Sequence, residues 1–220
     1  MSKLSVFRVA YQEVRRPVKP AIMMMLLILL VALYPSDLDE YPIVPPEAGI
    51  SAEVDFTENY LRFVPTAIQI ALPILLKDKV GLVQLAYVGV STTIATHAAK
   101  RILNDHWVSG TRLGERPSHS DSKHNMPSGH SSMASCALYF VGRRYSIWLA
   151  LLLTPILFFT MYARIAQDAH TVSAVIAGAF LGILMAALFT SRRKVSADES
   201  ADAVDDVRRP KRPKPWRPTL

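Results

Sequence analysis

Residues 21–33 read AIMMMLLILLVAL, thirteen consecutive positions with no charged or hydrogen-bonding side chain. A helix that is apolar on every side needs a deep core or lipid around it. Working outward, the apolar segment extends over residues 20–34. Five more follow at roughly 61–76, 80–98, 131–141, 147–161 and 172–189. Several are shorter than the ~20 residues that a lone spanning helix needs. Neighbouring helices that shield the ends make such spans tolerable. The expected fold is therefore an all-α integral membrane protein with about six transmembrane helices.

The bulk properties agree. The 220 residues suit one domain, half of them are hydrophobic, and the formal charge of +7 lies largely outside the apolar runs. Clustering of that kind points to a membrane protein and away from nucleic acid, since no aromatic-interleaved basic stripe is present. The single cysteine, Cys136, lies in an apolar segment. It excludes a disulfide framework and a thiolate zinc site and reads as a small core residue.

The flanking charges predict a topology. Lys3, Arg8, Arg15, Arg16 and Lys19 precede the first span and place the N-terminus in the cytoplasm. Counting spans, the Lys77–Lys79 turn, the Arg143–Arg144 turn and Arg192–Lys194 all fall inside, so the C-terminus is also cytoplasmic. The loop 35–58 falls outside, with seven acidic residues and no basic one. No small-residue cleavage site follows the first span, which reads as a retained anchor. Three regions result: a basic amphipathic segment over 1–19, the membrane domain over 20–191, and a charged, disordered tail over 192–220. In the first, Leu4, Phe7, Tyr11, Val14 and Val18 recur at helical spacing, as for a helix lying on the inner leaflet. The tail's basic end can touch anionic lipid. Gly178 and Gly182 form GxxxG in the last span and predict close helix packing.

With this topology, residues 100–130 and 163–170 emerge on the same outer face. The first includes TRLGERPSHSDSKHNMPSGHSS at 111–132. Pro127 and Gly129 make a turn, and Ser128 is a candidate N-cap for a helix beginning near His130. Free N–H groups at such a helix start bind an anion, and a glycine lets backbone approach it closely. Arg116 and Arg164 offer planar forks to phosphate oxygens. Arg164 closes the fifth span and His170 opens the sixth, which pairs a phosphate clamp with a candidate nucleophile.

The ordered set Arg116-Pro117, Pro127–His130 and Arg164 followed after five residues by His170 resembles the type 2 phosphatidic acid phosphatase superfamily. Within it, FTENYLRFVPT at 56–66, THAAKR at 96–101, RLGERP at 112–117 and NMPSGHSSM at 125–133 are similar to bacterial lipid A 1-phosphatases. The resemblance implies that His170 attacks phosphorus and that His130 protonates the leaving oxygen and then activates water. It assigns Lys100, Arg116, Arg164, Ser128 and Gly129 to the phosphoryl oxygens, with Arg112 as a further candidate. It also implies no metal and no cofactor, a phosphorylated lipid as substrate, and a bacterial inner membrane with the site facing the periplasm. His97, His106, His119 and His124 lack a zinc spacing and read as loop histidines.

Two departures stand out. The family's lysine lies about seven residues before Arg-Pro, where this chain has Ser109, so Lys100 serves only if a longer loop folds back. The carboxylate expected to orient His170 is replaced by Ala174, and Ala163 replaces the preceding serine. Asp168, Asp105 and Asp121 are candidate substitutes for the carboxylate. Undecaprenyl pyrophosphate and phosphatidylglycerol phosphate remain alternative substrates, and a non-catalytic lipid-phosphate binder is the alternative that Ala174 supports.

Overall fold

The structure, a computed structural model, describes residues 3–14, 18–34, 36, 38, 49–118 and 121–194. Arg15, Arg16, His119, most of the acidic loop between 39 and 48, and the tail from 195 onward lie outside the described residues.

The chain is mostly helical, and each apolar segment seeds a helix. In order they are α1 (Lys3–Gln12), α2 (Val18–Ala32), α3 (Ala52–Asn59), a 3₁₀ turn (Leu61–Phe63), α4 (Val64–Leu75), α5 (Lys79–Leu103), α6 (Gly129–Arg144), α7 (Ile147–Ala166) and α8 (Val172–Phe189). A short antiparallel hairpin, β1 (Trp107–Val108) and β2 (Thr111–Arg112), lies between α5 and α6. Two helices, α7 and α8, are long and apolar enough to cross a membrane, while α2 is a shorter apolar helix of 15 residues.

Helix α6 lies at the centre, against α8, α7, α4 and α5. Its buried face is built from small residues, Ser131, Ser132, Ala134, Ser135, Cys136 and Ala137, with Phe140 and Val141 below them. Small side chains let backbones approach, and α8 uses that opening. A Cβ placed on Gly178 would lie 2.3 Å from the Ser128 carbonyl oxygen, and one on Gly182 would lie 2.1 Å from that of Ser132. The GxxxG pair is thus a contact surface. Ala174 extends it by one turn, fully buried, and its carbonyl accepts the Ser128 N–H at 2.9 Å.

Away from this centre the bundle is apolar on its outside. Leu26, Leu30, Trp148, Leu152 and Phe158 are all more than half exposed. Only 33% of an 18-residue stretch of α7 is buried inside the protein. Bulky apolar side chains turned outward on several helices are what a hydrocarbon surround rewards.

One end of the bundle is closed by a buried polar clasp. Asp78 caps α5 through the Gly81 N–H at 2.8 Å. It pairs with Arg144 from the end of α6 at 2.6 and 2.7 Å and accepts the Tyr145 hydroxyl. Arg144 also reaches Gln84 and Ser191, and Gln84 holds the Ala10 carbonyl of α1. Burial opposes a charge on Asp78, but the Arg144 and Gly81 hydrogen bonds outweigh it and hold the carboxyl below its usual range. The turn at 77–79, the Arg143–Arg144 turn, α1 and the end of α8 therefore meet at the same end.

One expectation needs correction. Residues 52–59, read from the sequence as part of a loop, form α3, with Glu53 and Asp55 in the first turn where the helix dipole favours them. Val54 and Thr57 are buried, and α3 packs on α7. The apolar pattern is too short to show this in sequence. In α1, Val6 and Ala10 are buried and α1 packs on α5, while Phe7 and Tyr11 of the predicted apolar face are turned outward.

Candidate active site

At the end opposite the clasp, α5, α6, α7 and the turn before α8 enclose a cavity of about 410 Å³. Asp78 and Lys100 are separated by 22 residues of one helix, which corresponds to roughly 33 Å of rise.

Each wall follows from local sequence. Ser128, in extended conformation, caps α6 by accepting the Ser131 N–H at 3.5 Å. Gly129 and His130, the first two residues of the helix, line the cavity, so the positive end of α6 points into it. Ser128 itself is fully buried under α8, with its hydroxyl in the cap. Helix α7 ends through Asp168, whose φ of 51° is the left-handed conformation common just past a helix end. That turn lets the Arg164 carbonyl accept from the backbone N–H groups of both Ala169 and His170. Arg164 and His170 come to line one cavity as a result.

Lys100 is brought in as a folded-back loop requires. The β1–β2 hairpin reverses the chain at Ser109 and Gly110, both at positive φ as a two-residue hairpin turn demands. Ser109, at the place of the family's lysine, is therefore a turn residue. The returning loop sets the His124 carbonyl against Lys100 Nζ and 3.4 Å from Arg116 Nη2. Lys100, Arg116, Arg164, His130 and His170 all line the cavity. Arg112 does not: its guanidinium donates to Asn104 and to the Ser122 carbonyl, holding the loop. His97, expected in a loop, lies on α5 and lines the cavity, as does His124.

His170 is 2% exposed, and among the described residues no carboxylate stands beside its ring. Its Nδ1 lies 2.8 Å from the Asn125 main-chain carbonyl. A carbonyl only accepts, so Nδ1 carries the proton and Nε2 keeps its lone pair. The Asn125 side chain grips the next residue at both ends, taking the Thr171 N–H at 3.0 Å and donating to the Thr171 hydroxyl at 3.2 Å. Among the described residues, none of Asp168, Asp105 and Asp121 stands against the ring, and a backbone carbonyl takes that place.

Two further residues escaped sequence reasoning. Glu58, at the end of α3, accepts from Arg164 Nη1 at 2.7 Å and also from Arg62. Arg62 Nη1 lies 2.8 Å from His130 Nε2. Because an arginine only donates, His130 Nε2 accepts and the ring proton sits on Nδ1. Their spacing of four along the chain was the available signal. Gln167 takes Arg164 Nη1 as well, while Arg164 Nε and Arg116 Nε are buried and hold no protein partner.

The charges act together. These groups lie beyond the apolar spans, at the polar end. Burial and the neighbouring Arg116 and Arg164 lower Lys100 to about 8. Burial, then Arg164 and Arg62, lower His130 to about 4, with Glu58 opposing. Burial, then Lys100, Arg164 and Arg116, push His170 well below its ordinary value. Both rings are neutral at pH 7 among a surplus of cations, which is the electrostatic form of an anion site.

The comparisons bear on this geometry. Residues 81–196 match the model of the PAP2 superfamily. The chain is 45% identical over 156 residues to a protein of Helicobacter pylori strain J99 named lipid A 1-phosphatase, spanning 71% of this chain and 81% of that one. It is 44% identical over 154 residues, 70% of this chain and 80% of the other, to a protein of the same name from strain 26695. No solved structure matches. With more than half its length inside the family's model and both histidines and both arginines of the motif in one cavity, the chain belongs to the PAP2 superfamily.

Proposed function

We propose that this protein is a lipid A 1-phosphatase that works through a phosphohistidine on His170. One observation carries the reading: a single cavity gathers a neutral histidine with a free Nε2, a second neutral histidine, and Lys100, Arg116 and Arg164. The names of the relatives supply the substrate.

The phosphate enters between Arg116, Arg164, Lys100 and the Gly129 N–H. Phosphoryl transfer is chiefly positioning and stabilisation of charge on the equatorial oxygens, and fixed cations and a helix N-terminus provide both. His170 Nε2 attacks phosphorus as the bond to the anomeric oxygen breaks, and His130 gives that oxygen a proton. The incoming dianion offsets the cations that depress the two rings, so both imidazolium forms become accessible when needed. His130 then takes a proton from water, whose oxygen attacks the phosphohistidine and releases orthophosphate. The three cationic side chains fill the role a metal plays elsewhere, so the reaction proceeds in the presence of chelator.

We place the domain in the bacterial inner membrane with about six spanning helices. The clasp end and both termini are cytoplasmic and the cavity faces the periplasm. Clustering of the turn at 77–79, Arg144 and Arg193 at one end supports this orientation.

The test uses purified protein in detergent with excess chelator, given lipid A, undecaprenyl pyrophosphate and phosphatidylglycerol phosphate in parallel. Release of the 1-phosphate of lipid A, lost in His170→Ala, is the expected outcome. Release only from another lipid keeps the mechanism and removes the substrate. Silence on all three leaves a phosphate-binding protein.

A further inference from the structure

We infer that the threonine-lined arm of the cavity, between α5 and α6, is a subsite for the hydrogen-bonding linkage that heads the acyl chain next to the scissile phosphate. The inference rests on the phosphatase reading and names what lies behind the phosphate.

Thr92, Thr96 and Lys100 are spaced by four on α5 and stack along one helix face, and all three line the cavity. Successive members are roughly 6 Å apart along the axis. Lys100 is at the polar end, so Thr96 sits one turn deeper and Thr92 two, towards the apolar belt. On the facing wall, Met133 of α6 lines the same cavity and is 52% exposed, which marks a flank open to the side of the bundle. The arm thus leads from the phosphate cluster to the surface that acyl chains occupy.

Thr96 is 5% exposed, and its hydroxyl has no hydrogen-bond partner within the protein. Threonines in helices ordinarily bond back to the carbonyl four residues earlier, and Thr57, Thr154 and Thr160 of this chain do so at 2.7 to 2.8 Å. Thr96 departs from that habit. Its methyl carbon would lie 3.8 Å from a Cβ on Gly129, so it stands directly against the start of α6 beside the phosphate site. A buried hydroxyl left unpaired is costly, and Thr96 lines a cavity in which a ligand group can supply the missing partner. A glucosamine 1-phosphate acylated on its 2-nitrogen presents an amide on the carbon next to the one bearing the phosphate. That amide lies between phosphate and acyl chain, as Thr96 lies between Lys100 and the apolar belt.

The test compares two substrates: glucosamine 1-phosphate, and the same sugar phosphate carrying a long N-acyl chain. Each is given to wild type, Thr96→Val and Thr96→Ser. Thr96→Val keeps the shape and removes the hydroxyl. The expected result is a KM for the acylated substrate raised roughly tenfold, unchanged turnover of the unacylated one, and recovery in Thr96→Ser. Equal loss on both substrates assigns Thr96 to the phosphate site or to folding and overturns the subsite. Unchanged kinetics on both overturns it as well. A wild type that releases phosphate from neither substrate, nor from lipid A run beside them, sinks the phosphatase reading itself, and the subsite with it.

Discussion

Lys100 is the cation of the site whose charge titrates near working pH. Its ammonium, lowered to about 8 by burial and then by Arg116 and Arg164, is intact below that pH and lost above it. A phosphate grip that depends on it weakens as pH rises. The profile of kcat/KM, which reports the free enzyme, is therefore expected to fall more steeply above about pH 8. Lys100→Arg should remove that limb, because a guanidinium keeps its charge. The acid limb belongs to His170, which must be neutral to attack, so activity should persist well below pH 6.5, the ring's ordinary value. Stopped assays across pH 4–10 on both forms check the two limbs. An alkaline limb that survives in Lys100→Arg would assign it to another group. At this scale the sequence singled out His130, His170, Arg116 and Arg164, which line one cavity, but not the group that the His170 ring bonds to. That group is a main-chain carbonyl, invisible to any reading of side-chain types.

Elements carry the site as much as residues do. Helix α8 approaches α6 so closely at Gly178 that the carbonyl it meets belongs to Ser128, the cap of the active-site helix. Gly178→Ala is expected to destabilise by about 1–3 kcal/mol, as overpacking typically does, and to reduce phosphate release by disturbing the cap. Gly182→Ala meets the Ser132 carbonyl one turn further from the cavity and should cost similar stability with less effect on turnover. Thermal unfolding in detergent, with kcat on the folded fraction, separates the two; an equal loss of kcat would refute the link to the cap. The GxxxG spacing made this contact legible. Helix α3 was not, because its pattern is short and mostly polar, and with it Glu58 and its bond to Arg164 went unseen. Apolar spans announce themselves by composition, whereas α3, with only two buried residues, has too little apolar periodicity to do so.

Across the whole molecule, the clasp and the site sit at opposite ends of α5. Arg144 reads in sequence as a topological charge, yet it is 4% exposed and neutralises a carboxylate that is 8% exposed. Removing one member of such a pair leaves the other buried and uncompensated, typically at about 3–5 kcal/mol. Arg144→Met should lower thermal stability accordingly, while the fraction that remains folded keeps its kcat, since the cavity lies roughly 33 Å away along α5. A large loss of kcat in folded protein would mean that the two ends are coupled. The positive-inside pattern predicts an orientation, but it gave no sign that one of its charges holds four segments together.

The unbroken run of α5 has a consequence for which phosphates can be reached. Lys100, which lines the cavity, and Asp78, which anchors the far end, are marks on one rigid rod. If that rod crosses the bilayer, its length is close to the ~30 Å thickness of the hydrocarbon layer. The reaction plane is then held at a fixed level relative to the lipid surface. The enzyme becomes a gauge of depth: a phosphate carried just above the acyl chains meets the cations, and one lifted away on a longer polar stem passes over them.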